Sequence, residues 1–194
     1  MTLEGLIQSG RSPIAIGFDD APFEKTEGAV VPICGVVTHG TRFDGMLWGK
    51  TVRDGMHVTE RVAEMLLASK FLAQVHVVLL DGITMGGMNV HDIPALYEAV
   101  GIPCIPVMRK VPNRDKMRHV IDRLSEPEER WRRVLAAGEI HERGPYVFQA
   151  HGVDPDIAGR TLEVLTYNGH VPECLRLAHL IGSAVQMGQS GRRA

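Results

Sequence analysis

The hydrophobic pattern of the chain changes period after its first third, and this change limits the folds that the sequence can adopt. Three β-rich stretches joined by short turns come first, at residues 13–19, 29–38 and 41–52. Because short connections favour antiparallel neighbours, these stretches predict a three-stranded meander. Two amphipathic helical patterns follow, each before a continuous apolar run, at residues 58–69, 74–80, 93–100 and 102–108. Such runs are typical of strands that are buried on both faces, so the sequence predicts an α/β fold.

The deduced order of elements is β-β-β-α-β-α-β. Two crossovers of the βαβ type extend the meander, which predicts a mixed five-stranded sheet with three antiparallel strands, two parallel strands and helices on its faces. This order is the ribonuclease-H-like topology.

The rest of the chain is predicted to be helical with one short strand at residues 146–150. Ser125 and Glu128 have the spacing of a capping box for one helix, and Asp92 is placed to cap an earlier one. No linker or repeat interrupts residues 11–187. We therefore expect a single domain over residues 1–194, with residues 188–194 as a mobile tail.

Composition excludes few functions, but it indicates the class of protein, its location and its possible partners. Apolar residues make up 44% and charged residues 23% of the chain, as in ordinary soluble proteins. The N-terminus lacks a secretory signal and no apolar run could span a bilayer, so we expect a cytoplasmic protein with no membrane partner. The net charge of −2 does not favour a polyanionic partner, although a local basic rim would suffice for one. The three cysteines form no C-x-x-C pair and are predicted to be reduced packing residues.

Two aspartates end strands that the predicted topology makes neighbours. Asp19 follows the first strand and Asp81 the fourth, and Asp20 is a possible further ligand. Neighbouring carboxylates repel each other unless a proton or a cation separates them. Hard cations prefer oxygen ligands, so the pair predicts a Mg²⁺ or Mn²⁺ site suited to phosphoryl chemistry. The competing interpretation is that each aspartate only forms a turn or caps a helix.

A third carboxylate would complete the predicted catalytic and metal-binding set of Asp19, Glu60 and Asp81. Glu60 lies in the first turn of the helix after the meander, and Glu64 lies one turn later. The choice between them stays open from the helical pattern alone. A solvated glutamate favoured by the helix dipole is the simpler interpretation of either.

Further residues are candidates for binding phosphate or nucleic acid. The glycine-rich stretch 82–89 could expose backbone amides to a phosphate, although it matches neither nucleotide-binding fingerprint. Lys110, with Arg109, follows a strand, while Arg176 and His179 share a helical face. Each of these has a plainer interpretation as a surface cation or a core histidine. The predicted contacts are Gly82, Thr84, Gly86, Asn89, Lys110, Arg176 and His179.

Three separated motifs resemble the endonuclease dU family over residues 11–192. They are Ile16-Gly17-Phe18-Asp19-Asp20-Ala21-Pro22-Phe23, Leu79-Leu80-Asp81-Gly82-Ile83-Thr84 with Gly87-Met88-Asn89, and Pro172-Glu173-Cys174-Leu175-Arg176-Leu177-Ala178-His179-Leu180-Ile181. The resemblance implies a ribonuclease-H-like fold and Mg²⁺-dependent cleavage of DNA at or near deoxyuridine, a product of cytosine deamination.

The family is in turn similar to endonuclease V, and that likeness assigns metal ligation to Asp19 and Asp81. It also favours Glu60 over Glu64 by spacing. The histidine after the aspartate-glycine motif and the tyrosine wedge of endonuclease V have no counterpart here, which puts its inosine preference in doubt for this chain.

Two other functions are compatible with the same residues. One is a non-catalytic ribonuclease-H-like protein that holds nucleic acid in the cleft. The other is a metal phosphatase that acts on small phosphate esters. Metal-dependent cleavage of oligonucleotides distinguishes the endonuclease from both.

Overall fold

The computed structural model of the protein describes residues 1–191 and contains nine strands within that range. The predicted tail at 188–194 therefore lies partly outside the described residues. The strands are β1 (Ile14–Asp20), β2 (Val30–His39), β3 (Arg42–Val52), β4 (Val77–Asp81), β5 (Thr84–Met85), β6 (Asn89–Val90), β7 (Cys104–Met108), β8 (His141–Arg143) and β9 (Tyr146–Phe148).

The same residues form seven helices, which pack around the strands. They are α1 (Leu3–Gln8), α2 (Val58–Leu67), α3 (Ile93–Val100), α4 (Arg114–Ile121), α5 (Pro127–Ala136), α6 (Pro155–Val164) and α7 (Glu173–Met187).

Seven strands make one mixed sheet in the order β3-β2-β1-β4-β7-β9-β8, and β5 and β6 pair only with each other. The strands β1, β2 and β3 are antiparallel neighbours, while β1, β4 and β7 run parallel. The first five strands of this order are the predicted mixed sheet, so the predicted fold is confirmed. The antiparallel strands β9 and β8 extend it by two.

The sheet separates two hydrophobic layers. Ile16, Phe18 and Leu80 point to the layer built with α2, α3 and α5. Ala15 and Leu79 point to the opposite layer, which α1, α6 and α7 cover. Because successive side chains of a strand alternate between faces, each position of β1 and β4 is assigned to one layer.

Several local elements differ from the predictions. The strand β8 and the helix α1 were not predicted, because three polar residues and a six-residue helix leave little periodic signal. The glycine-rich stretch, predicted as a loop, contains the short β5–β6 hairpin. The strand predicted at 146–150 is β9 and ends at Phe148.

The two predicted helix caps have opposite outcomes. The prediction for Asp92 is confirmed, since its side chain accepts a hydrogen bond from the Ala95 amide at 3.2 Å. The capping box of Ser125 and Glu128 is wrong, because Glu126 precedes α5 in a left-handed conformation with no side-chain cap. Ser125 instead accepts hydrogen bonds from Arg130, a buried residue of α5.

The predicted role of the cysteines is confirmed. Cys34, Cys104 and Cys174 are free and buried, and burial raises the pKa of each thiol to about 12. A thiol with such a raised pKa stays protonated at neutral pH, so none of the three is suited to bind a metal as a thiolate. Within residues 1–191, every helix is too short or too polar to cross a bilayer.

Candidate carboxylate site

Asp19 and Asp81 lie side by side at one edge of the sheet. Their strands β1 and β4 are parallel neighbours, and Phe18 pairs with Leu80 immediately before them. Phe18 and Leu80 point to the layer that contains α2. Alternation along each strand therefore directs both aspartates to the opposite face, which α7 covers.

A cavity of about 180 Å³ opens in front of the two aspartates. The end of β7, the β8–β9 turn and the start of α7 form its other walls. The lining residues are Asp19, Asp81, Val107, Met108, Arg109, Pro145, His170, Val171, Leu175 and His179. A carboxylate pair at the mouth of a largely apolar cavity is a usual arrangement for a ligand site.

Asp19 is the most perturbed acid of the site. It is 6% exposed, and its pKa is raised from 3.8 to about 8. Burial is the largest cause, followed by the negative charges of Asp81 and Asp20 and by a hydrogen bond with the Asp81 carboxyl group. The charged form is therefore costly unless a cation lies close to it.

His179 is the nearest basic group to Asp19. Its Nδ1 lies 3.1 Å from Asp19 Oδ2, and in the tautomer that carries a proton there it donates a hydrogen bond to the carboxylate. The close approach of α7 depends on Gly17, because a Cβ at that position would lie 2.8 Å from the backbone of Cys174 and Leu175. The sequence thus places a small residue where the helix that carries His179 packs against β1.

Asp20 belongs to the other face and holds the hairpin. Its Oδ2 accepts a hydrogen bond from the Gly86 amide at 2.5 Å. Burial raises the pKa of Asp20, although the bond from Gly86 opposes that rise. Gly86 and Gly87 both have positive φ angles, which glycine adopts without strain. Asp20 therefore ties the glycine-rich stretch to the end of β1.

The donor set fits a hard divalent cation. Mg²⁺ is commonly bound through one or two carboxylates and completes its octahedron with waters and substrate phosphates. Asp19 and Asp81 provide such a pair beside a cavity. No group of three or more acidic, histidine or cysteine side chains in residues 1–191 is arranged to hold a metal ion. The protein ligands that the structure brings together are therefore two adjacent carboxylates.

Neither glutamate joins this pair. Glu60 is exposed on α2, does not line the cavity and is not among the charges that act on Asp19. Glu64 is also exposed and forms an ion pair with Arg61 at 2.8 Å. The physical reason is the position of α2, whose buried side packs on the face of the sheet opposite to the cavity. Metal ligation by Glu60 stays a prediction.

Some residues of the glycine-rich stretch are accessible to a ligand, while others already form hydrogen bonds within the protein. Gly82 has open space around it, and Thr84 is half-buried. The Gly86 amide is already bonded to Asp20, so it is not the free phosphate donor that was predicted. The predicted phosphate contact of Asn89 is wrong, because its side chain is fully buried and bonds to Val58, Thr51 and Val52.

Arg176 and Lys110, both predicted to bind phosphate, lie differently relative to the cavity. Arg176 pairs with Glu173 one turn away and does not line the cavity. Lys110 is exposed immediately after Arg109, which does line it. His170, which also lines the cavity, was missed; its position before the helix opened by Pro172 was the only available signal.

Comparison with known proteins identifies relatives that match most of the chain, including the residues of the site. A family model described as endonuclease dU matches residues 13–186. A UPF0215 protein of Methanothermobacter thermautotrophicus is 39% identical over 180 residues, which cover 90% of this chain and 88% of the relative.

Solved structures give two further likenesses. A protein of unknown function from Archaeoglobus fulgidus has a TM-score of 0.85 at 32% identity, and the match covers 89% of this chain and 98% of that one. Ciona intestinalis endonuclease V, in complex with an inosine-containing DNA, has a TM-score of 0.56 at 16% identity, with 91% and 90% covered. The second likeness shows a shared fold and agrees with the predicted ribonuclease-H-like class.

Proposed function

Since the chain belongs to the endonuclease dU family, we propose that it is a metal-dependent endonuclease that cleaves a DNA phosphodiester at or near deoxyuridine. The observation that carries the proposal is the contact between the carboxyl groups of the buried Asp19 and the half-buried Asp81, which both line a cavity. Two acids in contact favour a bound cation or a proton, and a divalent cation at such a pair can activate water for phosphodiester hydrolysis.

Asp19 and Asp81 would hold Mg²⁺ or Mn²⁺. When bound, the ion supplies positive charge to the phosphodiester oxygens and lowers the pKa of bound water. His179 keeps the Asp19 carboxylate oriented through its Nδ1. The apolar walls at Val107 and Leu175 exclude bulk water from one side of the carboxylates, which strengthens electrostatic interactions inside the cavity.

The assignment of DNA as substrate rests on the family and on the likeness to an endonuclease V bound to DNA. The choice of deoxyuridine rests on the description of the family alone. A role in DNA repair and a cytoplasmic location follow from the proposed activity and the sequence, and both remain predictions.

The test uses end-labelled duplexes that contain one deoxyuridine, one inosine or no lesion. With Mg²⁺ or Mn²⁺ we expect cleavage of the deoxyuridine duplex, and none in EDTA. Asp81→Asn is expected to lose about 10²-fold or more in rate, because it removes one of two adjacent carboxylates. Asp44→Asn is the matched control, since Asp44 pairs with Arg42 away from the cavity.

Each outcome separates the candidate functions. Binding of the duplexes without metal-dependent cleavage would support a non-catalytic binding protein. Hydrolysis of nucleotides with intact oligonucleotides would support a metal phosphatase. Cleavage of the inosine duplex alone would contradict the deoxyuridine specificity and leave the nuclease assignment standing.

The same assay tests the third carboxylate. If Glu60 reaches the metal in the complex with DNA, Glu60→Gln lowers the cleavage rate far more than Glu64→Gln. Equal rates for the two variants and the wild type would remove Glu60 from the catalytic set.

A further inference from the structure

We propose that residues 109–116, here called the basic segment, bind the phosphodiester backbone of the DNA whose cleavage is proposed for the carboxylate site. This inference rests on the proposed function and adds an interaction surface to it. The segment connects β7 to the first turn of α4.

The basic segment begins at the wall of the carboxylate cavity. Strand β7 lies beside β4, and Val107 pairs with Asp81 in the parallel register. Arg109, two residues after Val107, lines the same cavity. Backbone bound along the segment would therefore continue directly into the site that holds Asp19 and Asp81.

The segment is strongly positive in a chain that is slightly negative. Arg109, Lys110, Arg114 and Lys116 are all exposed, and Asp115 is the only acid among them. Four cations and one carboxylate give the segment a net charge of +3, against −2 for the whole chain. Such a local excess on one face is the electrostatic footprint expected of a polyanion site.

The four cations also lack the partners that neighbouring arginines have. Further along α4, Arg118 pairs with Asp122 and Glu128. On α5, Arg132 and Arg133 both pair with Glu129. None of the four cations of the basic segment forms an ion pair with another residue of the described range 1–191. The basic segment thus carries four cations without such an ion pair within eight residues, and it begins at the cavity wall.

Such a surface would offset the repulsion between the carboxylate site and DNA. Asp81, and Asp19 in its charged form, repel a phosphodiester that approaches the cavity. Exposed cations beside a negative site raise the local concentration of a polyanion and fix its register without reading its sequence. The basic segment is expected to position the strand through its phosphates.

The test compares two triple variants that remove equal charge. Lys110→Ala/Arg114→Ala/Lys116→Ala changes the segment but keeps Arg109, which lines the cavity. Arg11→Ala/Arg42→Ala/Lys70→Ala is the control, because these residues lie near the start of β1, the start of β3 and the end of α2, at the opposite end of the sheet. Binding of a fluorescent duplex is measured by anisotropy in EDTA at several salt concentrations.

We expect the segment variant to bind about 10²-fold more weakly than wild type at about 0.1 M salt, with a salt-dependence slope reduced by about two to three. The control variant is expected to bind as wild type does, and both variants should keep the wild-type melting temperature. Equal binding by the segment variant, or an equal loss in both variants, would overturn the inference.

The failure of this inference and that of the proposed function can be told apart. Wild type that binds the duplex through the segment but does not cleave it with Mg²⁺ or Mn²⁺ contradicts only the proposed nuclease activity. Wild type that cleaves the duplex while the segment variant binds unchanged contradicts only the surface. Wild type that neither binds nor cleaves contradicts both.

Discussion

Arg130 has the largest fully buried side chain of the described residues. Its guanidinium donates hydrogen bonds to the carbonyl oxygens of Asp54 and Met88, both at 2.6 Å, and of Gly55 at 2.9 Å. Its Nε donates to the Ser125 carbonyl at 2.7 Å. One side chain on α5 thus joins the turn after β3 to the hairpin that Asp20 holds. We predict that Arg130→Met destabilises the protein strongly.

The size of the effect follows from the four carbonyls that would lose a charged donor. A hydrogen bond to a charged group contributes about 1.5–3 kcal/mol, and an unsatisfied buried acceptor is costly. Removal of the guanidinium recovers part of this, because burying a cation itself costs several kcal/mol. The expected net loss is about 3–4 kcal/mol, a large fraction of the roughly 5–15 kcal/mol that stabilises a folded domain.

Urea unfolding at constant pH measures this loss. With a slope of about 2 kcal/mol/M, the midpoint should fall by roughly 1.5–2 M. Arg130→Lys should recover only part of the loss, because an ammonium group cannot reach carbonyls in the fork geometry of a guanidinium. Arg132→Met on the same helix is the control; its side chain is 54% exposed and its ion pairs should contribute less than about 1 kcal/mol.

The reasoning fails if Arg130→Met costs less than about 1 kcal/mol, or no more than Arg132→Met. An unchanged midpoint with an altered slope would also refute it, since that result places the effect in the compactness of the unfolded state.

Three other predictions concern buried groups. The folded-state pKa of Asp19, about 8, lies above its unfolded value of 3.8, so metal-free protein should lose stability as the pH rises through this window. Asp19→Asn should abolish the loss, up to about 4 kcal/mol at pH 7 in urea unfolding with EDTA, and parallel pH profiles for the two proteins would contradict this. Burial lowers the pKa of His91 from 6.5 to about 3, so stability should be full above pH 6.5 and fall by about 2 kcal/mol by pH 5. His91→Leu should show a flatter unfolding profile over this range, and an equal fall would argue against the assignment. Gly17→Ala should lower the melting temperature by about 5 °C, because its Cβ would lie 2.8 Å from the backbone of Cys174 and Leu175; a melting temperature at or above that of wild type would show that α7 moves away at no cost.

The main sheet could be predicted because its signals are local. The change from alternating to helical period between β3 and α2 and the apolar runs of β4 and β7 are properties of neighbouring residues. A connection from a strand through a crossover to a parallel strand is almost always right-handed, so few topologies remain possible. For the same reason, the adjacency of Asp19 and Asp81 follows from the strand order alone.

The partners of individual side chains could not be predicted in the same way. The sequence predicts that Asn89 and Gly86 are exposed loop residues. In the structure Asn89 is fully buried, and the Gly86 amide donates a hydrogen bond to Asp20. Arg130 lies on the buried side of α5 with Val134, four residues later. Nothing in the pattern indicated that carbonyls from two distant segments would satisfy its charge.

The sequence by itself determined the five strands β1, β2, β3, β4 and β7, their order and which end of the sheet carries acids, since periodicity and turn lengths are encoded along the chain. The tertiary structure decided which acids share a cavity. Alternation along β1 and β4 turns Asp19 and Asp81 toward α7, while α2 carries Glu60 on the other layer. A helical pattern identifies its apolar side but not the face of the sheet that it covers, because that choice depends on contacts between residues far apart in the chain.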